Sequence, residues 1–195
     1  MVLSEMRICT MPVDLLDRNR SALVVIDVQE KLFPHIHEHE RLLARIDLLI
    51  SAAKLMNVPV IVTEQYPKGL GRTIGEIRQL LPEVQPLTKM DFSCAPAPGF
   101  RELVSSLNRD QLVLAGIEAH ICVAQSALDL SSLGQKVIVV ADATSSRRPM
   151  DAQVAWRRME QSGLTVSTAE AVVFEWLRRA GTDEFKALQP KLKSL

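Results

Sequence analysis

Short apolar runs alternate along this chain with longer stretches in which apolar residues recur every three or four positions. The runs at 22–28 (ALVVIDV), 58–63 (VPVIVT), 112–115 (LVLA) and 136–141 (KVIVVA) are rich in β-branched residues and too short for helices. They predict strands buried on both faces. Two weaker runs, 87–90 (LTKM) and 164–168 (LTVST), predict shorter strands. Between them, Leu42, Ile46, Leu49, Ile50 and Ala53 fall on one face of a helix over 38–56. Leu103, Val104 and Leu107 predict a short helix over 100–108, and Ile121, Ala124, Ala127 and Leu128 another from His120 to Leu133, with Gly134 as its stop. Pro149 suits the first turn of a helix over 149–162, and further helices are expected over 169–179 and 183–192. A helix is also expected to start at Thr73, with Glu76 placed as in a capping box.

Strands alternating with helices predict an α/β fold of three layers: a six-stranded, mainly parallel sheet with helices on both faces, Rossmann-like in build. The unit 112–146 reads as strand, turn, helix, strand, whose right-handed crossover makes the two strands parallel neighbours. Residues 1–20 read as a surface lead-in and 21–195 as a single domain, without internal repeat or linker.

In such folds a site lies outside the carboxyl ends of the strands. Asp27, Glu64, Lys89, Glu118 and Asp142 all fall at or just past expected strand ends. Cys122 falls in the first turn of its helix, where unpaired N–H groups and the helix dipole favour a thiolate. Each has an ordinary alternative: Cys122 as a small core residue, Asp27 as a helix cap, Lys89 as a solvated charge. Together they place a carboxylate, an ammonium and a thiol at one sheet edge.

Composition narrows the partners. Basic and acidic residues balance at 23 each, so neither a nucleic-acid footprint nor an anionic-membrane surface is expected. No apolar run approaches the ~18 residues of a membrane span. Three widely spaced cysteines, Cys9, Cys94 and Cys122, make no disulfide framework and favour a reducing cytosol. Acids at Glu5, Asp14 and Asp17 weaken a mitochondrial transit reading without removing it. His35, His37 and His39 share no helix face, which favours a solvated loop over a metal site. A nucleotide-binding Rossmann protein would need a Gly-rich turn after the first strand, where this chain has Asp27-Val28-Gln29-Glu30.

The ordered motifs ALVVIDVQ, TKMDFS, GIEAHICVAQSALDL and VIVVADATSSR resemble the isochorismatase-like cysteine hydrolase superfamily, which includes nicotinamidases and N-carbamoylsarcosine amidase. EQYPKGLGRT and GIEAHIC look closest to its isochorismatase domain-containing branch. The resemblance implies a catalytic triad of Asp27, Lys89 and Cys122. It further implies a cis peptide between Ile117 and Glu118, with the Glu118 and Cys122 amides aimed at one oxyanion. Nicotinamidases carry an Asp-X-His metal motif after the second strand, where this chain reads Thr63-Glu64-Gln65-Tyr66, so no metal and no other cofactor is expected. The implied activity is cleavage of a C–N bond in a small amide, imide or carbamoyl substrate by a homo-oligomer. The alternative is a catalytically silent family member that acts through partner binding. Tyr66, Leu70 and Phe92 are candidates for an apolar pocket wall, and Arg72 and Arg147 for receiving a substrate carboxylate.

Overall fold

The computed structural model describes residues 14–193. Six strands form one sheet: β1 (Ser21–Ile26), β2 (Val60–Gln65), β3 (Leu87–Lys89), β4 (Gln111–Ile117), β5 (Lys136–Ser145) and β6 (Thr165–Ser167). Their order is β3-β2-β1-β4-β5-β6, and every neighbouring pair is parallel. The three-layer expectation holds, and the sheet is wholly parallel.

Alternation along the central strands decides the two cores. Leu23 and Val25 of β1 and Val113, Ala115 and Ile117 of β4 pack with α1 (His39–Leu55), α7 (Ala169–Leu177) and α8 (Asp183–Lys193). Ala22, Val24, Ile26, Leu112 and Leu114 face the other way, toward α4 (Phe100–Leu107), α5 (Ala124–Ser132) and α6 (Pro149–Gln161). Both faces being covered is why these strands are continuously apolar rather than alternately polar. Among the described residues no helix is long and apolar enough to cross a membrane.

The order reverses between β1 and β4, whose chains leave in opposite lateral directions and open a crevice at their carboxyl ends. Gly116 lets the two strands close there. A β-carbon on it would lie 2.1 Å from the Ile26 carbonyl oxygen, and its φ of 119° is open to glycine and few other residues. The strand expected over 112–115 is therefore corrected to a longer one: β4 runs through Gly116 to Ile117 because the close approach needs a residue without a side chain.

Other local expectations need correction as well. The helix read as beginning at His120 opens with a π-helical turn, Ala119–Val123, before α5 proper. The capping box at Thr73 and Glu76 does not form: α3 (Gly75–Leu80) is capped by Ile74, and the Thr73 hydroxyl donates instead to Glu64. A four-residue helix, α2 (Pro67–Leu70), stands between β2 and α3, where no element was expected. Of the supposed surface lead-in, Leu16 belongs to the core, with its N–H donating to Glu175 and its carbonyl accepting from Arg178. Cys9 lies outside the described residues.

Candidate active site

Two strand exits and one turn meet in the β1/β4 crevice. Asp27 follows β1 directly in a left-handed conformation, φ 54°, a region that aspartate tolerates better than most residues. Its N–H donates to the Thr63 carbonyl on β2 at 3.2 Å, which aims the side chain across the sheet ends. Lys89 ends β3, two strands away, and reaches back so that its Nζ lies 2.6 Å from Asp27 Oδ2. Both side chains are almost wholly buried, at 0% and 1% exposure.

Neither ion relies on the other alone, as buried charges require. The Thr63 hydroxyl donates to Asp27 Oδ1 at 2.7 Å. The Lys89 ammonium also donates to Gln65 Oε1 at 2.9 Å, to the Phe92 carbonyl at 2.9 Å and to the Asp91 carbonyl at 3.3 Å. Four acceptors surround three N–H bonds, so Lys89 keeps no proton free for another ligand. It acts on this site by charge and by tying the 91–92 loop to Asp27.

Cys122 sits on the π-helical turn, buried in the α4–α6 core, with its thiol beside the Asp27 carboxylate. The expected activation as a resting thiolate is corrected. Burial and the Asp27 charge push the thiol well above its ordinary range, and the opposing pull of Lys89 is smaller than burial and the Asp27 charge. The resting group is a thiol beside a carboxylate. Cys94, in the loop after β3, is a second buried thiol beside the same ion pair: its Sγ lies 3.8 Å from Thr63 Oγ1, and burial pushes it up to about 11.

The peptide between Ile117 and Glu118 is cis. Glu118 is buried and directs its carboxylate outward, to the Arg147 backbone N–H at 2.9 Å and to Arg147 Nε at 3.1 Å. Arg147 is itself exposed, so its first commitment is to Glu118. Tyr66 and Phe92 are about half exposed, and both are joined to Lys89: the Tyr66 N–H donates to the Lys89 carbonyl, and the Phe92 carbonyl accepts from its ammonium. Leu70, on α2, is half-buried, and Arg72 is exposed with its N–H near Glu30. Among the strand-end charges, Asp27 and Lys89 meet. Glu64 accepts from the Thr73 N–H and hydroxyl, and Asp142 accepts from the Ala169 N–H and pairs with Arg45. His35 and His37 are exposed, and His39 packs edge-on against Phe33. Among the described residues no three His, Cys, Asp or Glu side chains are grouped to hold a metal ion.

Residues 21–171 match the model of the isochorismatase domain. The chain belongs to the isochorismatase family. Within it, the chain is 38% identical over 172 residues to isochorismatase domain-containing protein 2 of Danio rerio, covering 88% of this chain and 86% of that protein. Among solved structures, the MAR1 ribonuclease from Caenorhabditis elegans superposes with a TM-score of 0.85 at 36% identity, covering 92% of this chain and 93% of that one. The YcaC gene product from Escherichia coli, described as an octameric hydrolase of unknown specificity, gives 0.87 at 26%, covering 93% and 92%.

Sequence reading missed Gln29, Thr63, Gln65 and Cys94 around this ion pair. Thr63 and Gln65 stand two apart at the exit of β2, so they share a face of the strand, and Gln29 stands two beyond Asp27. Polar residues at a strand exit are the only local signal they give. Their partners lie 24 to 36 residues away, as for Gln65 with Lys89 and for Thr63 with Asp27.

Proposed function

We propose that this protein is a cysteine hydrolase that cleaves a C–N bond of a small amide, imide or carbamoyl compound. The observation that carries the reading is the buried Lys89–Asp27 ion pair beside the Cys122 thiol. A thiol held above its ordinary range by burial and by a neighbouring carboxylate is a poor free nucleophile, but that carboxylate is placed to take the proton as sulfur attacks. The Cys122 sulfur bonds to the substrate carbonyl carbon as its proton passes to Asp27. The backbone N–H groups of Glu118 and Cys122 receive the oxyanion, a role in which one donor is typically worth ~10²–10³ in rate. The C–N bond then breaks, Asp27 returns the proton to the leaving nitrogen, and a thioester remains on Cys122. Water, deprotonated by Asp27, attacks the thioester carbon; the C–S bond then breaks, the acyl group leaves as its acid product, and Asp27 passes the proton to the Cys122 sulfur. Tyr66, Leu70 and Phe92 would wall the acyl pocket, while the Glu118 carboxylate offsets Arg147 as a receptor for substrate anions.

The likeness to a chain described as a ribonuclease favours a second reading, phosphodiester cleavage. Against it stand the even charge balance and a thiol–carboxylate pair suited to acyl transfer. One experiment separates the two. The protein and its Cys122→Ala variant are incubated with a panel of amides, imides and N-carbamoyl compounds, and with fluorogenic RNA. A substrate-dependent mass increase on Cys122, with amine release lost in the variant, supports the hydrolase. RNA cleavage that survives Cys122→Ala, with no adduct and no amine release, overturns it. Inertness toward both classes supports a silent family member acting by binding. We further propose a homo-oligomer, for which octameric YcaC is the support, testable by light scattering on the purified chain. Two free buried thiols suit a reducing compartment such as the cytosol.

A further inference from the structure

We propose that Gln65 is a positioning residue that keeps Lys89 in place as an ammonium while Asp27 carries the Cys122 proton. The inference rests on the hydrolase reading above. In the resting site Asp27 supplies the anion that a buried ammonium needs. Once Asp27 has taken the thiol proton, that anion is gone. The Lys89 side chain is fully buried, with no solvent to replace it. A buried ammonium stripped of its counter-ion tends to give up its proton. Losing it here would remove the positive charge just as the substrate oxygen becomes negative.

What remains around Nζ in that state is three neutral oxygens: the Phe92 and Asp91 carbonyls and Gln65 Oε1. Only Gln65 presents its oxygen through a side chain, and the surroundings dictate which way that amide points. Its Nε2 donates to the Met90 carbonyl at 2.7 Å, so turning the amide over would set its NH₂ against the ammonium and its oxygen against a carbonyl. The backbone beneath is clamped as well. Gln29 Oε1 accepts from the Gln65 N–H at 2.8 Å, and Gln29 Nε2 donates to the Gln65 carbonyl at 3.0 Å and to the Gly71 carbonyl at 2.7 Å. Gln29 thus takes the place of a strand partner just beyond the end of β1. Both glutamines are buried. The other ionisable groups in reach of Lys89 are Asp27 from the β1 exit, Cys94 from the loop before α4 and Cys122 from the π-helical turn. Glu64, next to Gln65, is turned away to Thr73.

The test uses the full chain with ¹⁵N-labelled lysine and needs no turnover, so its failure is separable from failure of the hydrolase reading. Asp27→Asn mimics the neutral carboxyl group, and Lys89→Arg assigns the Lys89 ammonium resonance. The resonance is expected to persist near neutral pH in Asp27→Asn and to vanish in Asp27→Asn combined with Gln65→Leu. Persistence in the double variant, or loss in Asp27→Asn alone, would overturn the proposal. Gln65→Leu alone supplies a second readout. Iodoacetamide should alkylate its Cys122 about tenfold more slowly than wild type near neutral pH, the effect of one pK unit. An unchanged rate, with or without a lowered melting temperature, would leave Gln65 a packing residue and overturn its positioning role.

Discussion

Replacing Lys89 with methionine is the sharpest perturbation of this site, because it removes a cation and keeps the volume. At 2.6 Å and an effective dielectric constant of about 20, the gross attraction between Lys89 and Asp27 is about 6 kcal/mol. Desolvation of both ions offsets much of that, so the pair adds little net stability as a unit. Removing one partner is a different matter. Asp27, at 1% exposure, would be left as a buried carboxylate that accepts from the Thr63 hydroxyl, with the Cys122 thiol nearby. Such orphaning costs about 3–5 kcal/mol, a large part of the ~5–15 kcal/mol available to a typical domain. The Asp27→Asn/Lys89→Met double variant buries no charge at this position. It should therefore be less destabilised than the sum of the two single variants by at least about 2 kcal/mol. Urea unfolding followed by circular dichroism at pH 7 measures all four corners of this cycle. If Lys89→Met costs under about 1 kcal/mol, or the single effects simply add, the two groups are not a desolvated pair and the reasoning fails.

Further outcomes follow from the same geometry. The Cys94 thiol is pushed up from 9.0 to about 11 by burial and by Asp27. In the unfolded chain it ionises near its ordinary value, so between about pH 9 and 11 only unfolding gains from the rising pH. Its contribution to stability is fully present below pH 9 and is lost as pH rises through 11, amounting to about 3 kcal/mol. Cys94→Ala should lose less stability than wild type from pH 8.5 to about 10.5 in urea titrations; parallel losses would contradict this sign. Gly116→Ala should destabilise by more than about 4 kcal/mol, since its β-carbon would drive into the Ile26 backbone. A melting temperature within a few degrees of wild type would show that β1 and β4 can part without cost.

How much of this was legible beforehand differs residue by residue. The alternation of short apolar runs with 3.6-residue periodicity is a local property, carried by neighbours in the chain, and it determined the layers, the strand count and the faces of α1 and α4. The strand-exit positions of Asp27 and Lys89 were equally local, because a parallel sheet sends every such position to the same edge. Only the tertiary structure decided what those positions touch. Gly116 lay beyond the strand expected over 112–115, and it is a close-approach point inside β4 because Ile26, 90 residues earlier, packs against it. Thr73 looked like a helix cap, but a buried Glu64 carboxylate claims its hydroxyl. Gln29 and Gln65 read as unremarkable polar residues until their amides were seen clamping a strand exit and facing an ammonium. The Cys122 thiol illustrates the difference most plainly. Its place at a helix start argued for a lowered pKa, and desolvation plus the Asp27 charge reversed the sign. Secondary structure follows from side-chain pattern within a dozen residues. Burial, charge state and hydrogen-bond partners depend on which distant segments exclude water from the same point.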